Sequence, residues 1–362
     1  MPADNKKISI RQASFIFLII VFSPAVRFVP TYSVDKAEQA AWLSPIPAII
    51  VFILLVLVWN SICKKHTNET LMDIYCDITG KIPGIILSVL YFIWLTLLTA
   101  LYVRYSSIRL VVSVYPNVSM NIFSFSLLAV IAYTLRYGLT TLARLSEIVH
   151  PIIAGTFFVL VLLVLPKLKF EFLLPLTYRN IFPVLNGSVS ILGLVAYFSF
   201  IFTLGDRITN KAAVRKTGLQ TGVVLFLIFT SLLIMTIGSF SSSVVARTQQ
   251  PFLVAVKEIS LFNTLEKIES VIIVFWVTSD FVLISTFTLC ALNILKWLFK
   301  LKDTKPLISI YLILLYVLSS YLARNLFELR QLSNILFLPG NIILGLIIPM
   351  IAFMIGKLRR KV

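Results

Sequence analysis

The stretch Phe17-Leu18-Ile19-Ile20-Val21-Phe22-Ser23-Pro24-Ala25-Val26-Arg27-Phe28-Val29-Pro30 decides how the chain is read. It is apolar on almost every face, so it reads as a helix enclosed by lipid or protein, not as one half of a soluble surface. Ser23-Pro24 falls in its middle. A proline there removes one backbone donor and crowds the preceding turn, which loosens the carbonyls near Ile20 and Val21. Two readings follow. One is a discontinuous helix whose freed backbone groups line a site at mid-membrane depth. The other is a plain proline kink packed against neighbouring helices.

The rest of the chain repeats this apolar character. Of its 362 residues, 59% are hydrophobic and 13% charged, and the mean hydropathy is +0.98. Soluble globular proteins are nearer about a quarter charged. Ten runs approach or exceed what a membrane crossing needs: 12–30, 42–62, 82–113, 121–136, 148–166, 183–204, 217–243, 269–298, 306–323 and 335–356. Backbone polar groups in lipid must satisfy one another, so these runs are expected as helices. Nothing alternates as the strands of a membrane barrel do. The polar segment 5–12 enters the first span with no small-residue cleavage site, so that span is expected to be retained. The expected class is an all-α polytopic membrane protein forming a single transmembrane domain over 1–362.

The net charge of +17 belongs to this topology and not to nucleic-acid binding. With the N-terminus in the cytoplasm, twenty of the 32 Lys and Arg residues lie in inside segments and nine in outside segments, while Arg27, Arg104 and Arg109 lie within spans. That bias places both termini in the cytoplasm. Cys63, Cys76 and Cys290 form no paired motif, and His66 and His150 are isolated, so no metal, cofactor or disulfide framework is expected. There is no HExxH, no GxSxG and no pair of aspartates in neighbouring spans, which argues against an intramembrane enzyme.

The third and eighth spans are both near thirty residues, longer than a perpendicular crossing requires. They are five spans apart, and each follows a partly polar connector, 63–81 and 244–268. Two five-helix halves, 12–166 and 183–356, follow, the second inverted because five is odd. The sixth span then opens the second half. It carries Gly187 and Gly193 with Ser188, Ser190 and Ser199. Close packing at small residues is one reading. The other is a break near 193–199 that points a helix N-terminus at a carboxylate.

Charges inside spans usually face protein or water. Arg104 and Asp280 lie at similar depth in the third and eighth spans, so we expect them to pair or to share a polar cavity. A structural ion pair and a proton-coupling role for Asp280 both fit. Arg27 either snorkels outward or guards the outer entry. Glu147 and His150 are expected at the start of the fifth span, Glu147 against the helix dipole. Thr278, Ser279, Ser285 and Thr286 either ligate a cation or bond back to their own helix. Trp94 and Leu98 share a helix face, as a ligand wall or as a packing stripe.

Several motifs, in order, resemble those of the spore germination permeases, the B subunits of germinant receptors in endospore-forming bacteria. Ile8-Ser9-Ile10-Arg11-Gln12 is similar to the family's IS-x-x-Q opening. Ala41-Trp42-Leu43-Ser44, Thr70-Leu71, and Thr79-Gly80-Lys81-Ile82-Pro83-Gly84 follow, the last resembling L-G-K-x-x-G. Arg104, the G-L-x-x-x-A-R-x-x-E-like stretch Gly138 to Glu147, and Trp276 complete the set. The resemblance covers nearly the whole chain. It implies the amino acid–polyamine–organocation superfamily and a LeuT-like 5+5 inverted repeat with broken first and sixth helices.

The resemblance further implies a small germinant, usually an amino acid, bound in a transporter-like pocket. The partners it implies are an A subunit and a lipoprotein C subunit in the inner membrane of the dormant spore. The family's pocket maps onto Ser23, Pro24 and Ala25; Trp94 and Leu98; Leu194, Val195, Ala196 and Tyr197; and Leu283. The chain departs from its relatives in having Ser23-Pro24-Ala25 where a glycine-rich break is frequent, and Ala196-Tyr197 near a frequent Gly-Glu. A germinant sensor, an ion-coupled amino-acid symporter and a channel all remain compatible with broken helices.

Overall fold

The computed structural model describes residues 7–257 and 268–362. Lys6, and the part of the 244–268 connector that carries Lys267, lie outside the described residues. The helices are α1 (Ile10–Ala37), α2 (Pro45–Lys65), α3 (Leu71–Thr79), α4 (Lys81–Ser113), α5 (Met120–Leu135), α6 (Leu139–Val164), α7 (Ile181–Val195) and α8 (Tyr197–Phe200). They continue with α9 (Val214–Arg247), α10 (Pro251–Lys257), α11 (Ile268–Leu298), α12 (Lys305–Leu322), α13 (Leu326–Leu332), α14 (Leu338–Ile342) and α15 (Ile348–Leu358). Among the described residues, nine helical stretches are long and apolar enough to cross a membrane, and α5 is a shorter apolar helix of 16 residues. At 1.5 Å per residue, α5 spans about 24 Å. Exposed Tyr133 and Tyr137, hydroxyls 2.9 Å apart, mark its end with the amphipathic aromatics typical of a membrane interface.

The order of short helix then long helix occurs twice, α3–α4 and α10–α11. These are the two connectors whose polarity the sequence marks. The last span is longer than the sequence indicates. It runs from α13 through α15 as one rod, with π-helical turns at Ser333–Phe337 and Ile343–Ile347.

Helix α1 sits at the centre, against α6, α7, α9 and α11. Its fixing begins with Ser9, which caps α1 reciprocally with Gln12: Gln12 N–H donates to Ser9 Oγ (3.2 Å), and Ser9 N–H to Gln12 Oε1 (2.8 Å). Ile8 and Ser9 form a strand, β1, that pairs in parallel with Ile208–Thr209, β2. The Gln12 amide reaches on to Glu147 Oε2 at 3.2 Å. Helix α6 starts at Leu139, so Glu147 lies two turns inside it and holds α1 in place instead of capping α6. His150 stacks on Phe15, ring centroids 5.0 Å apart.

Helix α1 is continuous through Pro24 and Pro30. The expected break takes another form. The Ser279 hydroxyl of α11 accepts from Ser23 N–H (3.2 Å) and donates to the Ile19 carbonyl (2.5 Å). Those are the two backbone groups of one helical rung, so a side chain from another helix is inserted into the ladder. Thr278 and Thr286 bond back to Val274 and Val282 of their own helix.

The turn between α3 and α4 explains Gly80 and Gly84. Gly80 has φ +106°, a conformation that a side chain resists, and a Cβ on Gly84 would lie 2.6 Å from the Cys76 Cα and 2.7 Å from its N. Backbone cannot yield as a side-chain tip can. We expect Gly84→Ala to destabilise the protein by about 1–3 kcal/mol through overpacking, read as a lowered melting temperature in detergent. Gly155→Ala, where a Cβ meets nothing within 4 Å, is the neutral control.

Candidate functional site

Helices α1, α4 and α11 meet at a buried charge cluster. Arg109 of α4 donates through Nη2 to Asp280 Oδ2 and through Nη1 to the Ser23 hydroxyl at 3.0 Å. Ser23 in turn donates to Asp280 Oδ1 at 2.6 Å. Arg109 is 5% exposed and Asp280 1%. The guanidinium also lies 4.9 Å from the ring of Trp276, one turn before Asp280 on the same face of α11.

The expected pairing of Arg104 with Asp280 is therefore replaced by Arg109 with Asp280. Arg104 donates from Nε to the Ala323 carbonyl (2.7 Å) and from Nη2 to that of Arg324 (3.4 Å), which ties α4 to the turn after α12. Similar depth along two helices does not specify which faces meet. Five residues rotate a helix by about 140° beyond a full turn, so the two arginines point to different neighbours.

A cavity of about 30 Å³ lies beside this cluster, lined by Pro24, Arg27, Leu98, Tyr102, Leu194, Tyr197 and Asn341, among others. Four of the expected ligand residues meet there: Pro24, Leu98, Leu194 and Tyr197. Ser23 belongs to the charge cluster. Ala25, Val195, Ala196 and Leu283 are buried but do not line the cavity. Trp94 stands behind it: its indole N–H donates to Asn341 Oδ1 at 3.0 Å, and its ring packs on Phe337 with centroids 5.3 Å apart. A Cβ on Gly340 would lie 2.1 Å from that ring, so Gly340 is what admits Trp94. The wall is completed by hydrogen bonds, Tyr102 to Tyr197 (hydroxyls 2.5 Å apart) and Asn341 to Tyr197 (3.3 Å).

The sixth-span interruption falls at Ala196, between α7 and α8, and continues as tighter 3₁₀ turns over Ile201–Arg207. Two of the N–H groups at this interruption are taken up within the chain. Ala196 N–H bonds to the Leu192 carbonyl (3.1 Å), and Ser199 N–H to that of Ala196 (3.1 Å). Ser199 Oγ donates to the Gly345 carbonyl (2.6 Å) and accepts from Trp59 Nε1 (2.9 Å). Gly187 and Gly193 serve close packing: a Cβ there would meet Ser44 Oγ at 2.6 Å and Leu338 Cδ1 at 2.3 Å.

Sequence reasoning missed the contribution of the tenth span, Ser333, Phe337, Leu338 and Asn341. The available signal was Pro339-Gly340-Asn341, a breaker pair and an amide inside an apolar run. A second cavity of about 120 Å³ adjoins the first and shares Arg27 and Phe28 with it. Its walls include Tyr105, Arg109, Gln250 and Arg330.

The motif set and the helical bundle agree with the comparisons to known proteins. The spore germination protein family model matches residues 7–327. The chain belongs to this family. Relatives in Bacillus subtilis (strain 168) include spore germination protein YndE, 23% identical over 367 residues covering 100% of this chain and 99% of the relative. Another is spore germination protein KB, 21% identical, with 99% and 96% covered. Among solved structures, the nucleobase-cation-symport-1 family transporter Mhp1 in a closed conformation with bromovinylhydantoin bound superposes with a TM-score of 0.60. The identity is 12%, covering 99% of this chain and 96% of that one. The inward-facing form of Mhp1 gives 0.58 at 12% identity. This spore germination family member has the LeuT-like fold seen in Mhp1.

Removing one partner of a buried ion pair leaves the other uncompensated, at a cost of about 3–5 kcal/mol. Asp280→Asn and Arg109→Gln should each lower the melting temperature sharply, and the double variant should recover part of the loss. Arg104→Asp combined with Asp280→Arg should give no rescue; rescue there would restore the discarded pairing.

Proposed function

We propose that this protein is the B-type subunit of a spore germinant receptor, sensing a small germinant, an amino acid, in the cavity enclosed by Pro24, Leu98, Leu194 and Tyr197. In this reading the chain lies in the inner spore membrane with both termini cytoplasmic. Its two halves are 12–166 and 183–356, and it signals to an A subunit and a lipoprotein C subunit. The observation that carries the reading is the convergence of the proline-bearing turn of α1 with the interrupted α7–α8 segment on one cavity.

At about 30 Å³ the cavity has room for no more than about two or three waters. An amino acid therefore enters only if α4, α7 or the tenth span moves, and that movement is the signal. A ligand shifts such an equilibrium only by its differential affinity: going from about 1:99 to about 99:1 takes roughly a 10⁴-fold preference for one state.

The alternative is an ion-coupled amino-acid symporter using the same cavity. The saturation of both Asp280 oxygens, by Ser23 and Arg109, favours sensing, because that carboxylate needs no cation from solution. The test is binding and uptake of radiolabelled amino acids by protein in liposomes, with and without proton or sodium gradients. We expect saturable binding without accumulation, and loss of binding in Leu194→Trp, which fills the cavity. Gradient-driven accumulation would make the protein a transporter, and binding of no amino acid would remove that ligand class.

A further inference from the structure

If the cavity binds an amino acid, something must hold the carboxylate, and the backbone near the cavity offers little. Pro24 has no N–H, and the N–H groups of Ala196 and Ser199 are bonded within the chain. Arg27 lies three residues after Pro24 on the same face of α1, and it lines both cavities. Its guanidinium is stacked on Tyr105, 3.5 Å from the ring centroid, with Tyr102 at 5.8 Å. Stacking holds the plane of the group; one contact goes to the Tyr102 hydroxyl, and a guanidinium has further N–H donors to offer a planar anion.

The charge balance of the outer cavity points the same way. Arg27, Arg109 and Arg330 line it, and no carboxylate among the described residues does. Asp280 neutralises Arg109, whereas no carboxylate among the described residues forms an ion pair with Arg27 or Arg330. Two guanidinium charges in a low-dielectric recess attract small anions and concentrate them at its mouth. We propose that Arg27 is the carboxylate anchor of this site and that the cavity shared with Arg330 is the entry route, so the ligand class is a small carboxylate-bearing molecule. This rests on the cavity reading given above and adds the group that selects the ligand.

Two measurements separate the two ideas. The first compares a panel of amino acids with their carboxamides by equilibrium binding to the purified full chain. Losing a charge-assisted contact weakens binding by about ten- to a hundredfold. We expect that loss for each bound amino acid on amidation and again in Arg27→Gln, with partial retention in Arg27→Lys. The second needs no amino acid: acetate is the probe, and the rate of phenylglyoxal modification of Arg27 in the wild-type protein is followed by mass spectrometry. Acetate, and not methylammonium, should slow modification of Arg27 severalfold while leaving Arg179 unchanged. Amino-acid binding that survives amidation and Arg27→Gln, or modification of Arg27 indifferent to acetate, overturns the assignment while leaving the cavity reading intact. Acetate protection without binding of any amino acid keeps the anion site and removes the amino acid.

Discussion

The buried pair of Arg109 and Asp280, bridged by the Ser23 hydroxyl, is the constraint on which the core arrangement depends. Two charges cannot be taken from water into a helical bundle unless each is neutralised and its hydrogen bonds are met. Meeting that condition fixes three helices at once: α4 supplies the guanidinium, α11 the carboxylate, and α1 the hydroxyl between them. Ser279, next to Asp280, reinforces the joint by entering the Ile19–Ser23 rung of α1. The weak point that Pro24 creates in α1 is thus placed against the polar stripe of α11, where substitute hydrogen-bond partners are available.

The central cavity is built around that joint from elements that are themselves irregular. The α7–α8 segment tightens at Ala196, and the tenth span carries two π-helical turns on either side of Asn341. Irregular backbone of this kind is tolerated at membrane depth because it is buried in protein. Mid-helix 3₁₀ stretches often mark hinges, and π-bulges are frequent at functional sites. The tyrosine, asparagine and tryptophan hydrogen bonds around the cavity give those walls a defined closed arrangement.

The motifs that identify the family have mostly structural work. Ser9 and Gln12 cap α1, Thr70 and Asp73 cap α3, Gly80 and Gly84 turn and seat α4, and Gln12 bonds to Glu147 of α6. Arg104 secures the end of α12. The residues that face the cavity are instead generic apolar or tyrosine side chains, together with Arg27. This is why the motifs specify the family while the cavity lining follows no short motif.

From the sequence alone, apolar run length determined the helical spans, because lipid leaves the backbone no other solution, and Lys and Arg placement supplied an expectation of orientation. The prolines and glycines located the irregular turns of α1 and α7–α8. Pro24, Leu98, Leu194 and Tyr197, which line the central cavity, were named through the family resemblance; Pro24, Leu194 and Tyr197 flank those turns, whereas Leu98 lies on α4. What the tertiary structure decided were the questions of face and partner: that Arg109 and not Arg104 meets Asp280, that Ser23 serves the ion pair and not the cavity, and that Asn341 closes the wall. Sequence spacing gives a residue's depth along a helix, but which neighbour it meets depends on how each helix is rotated in the bundle. That rotation is set by the packing of all of them together.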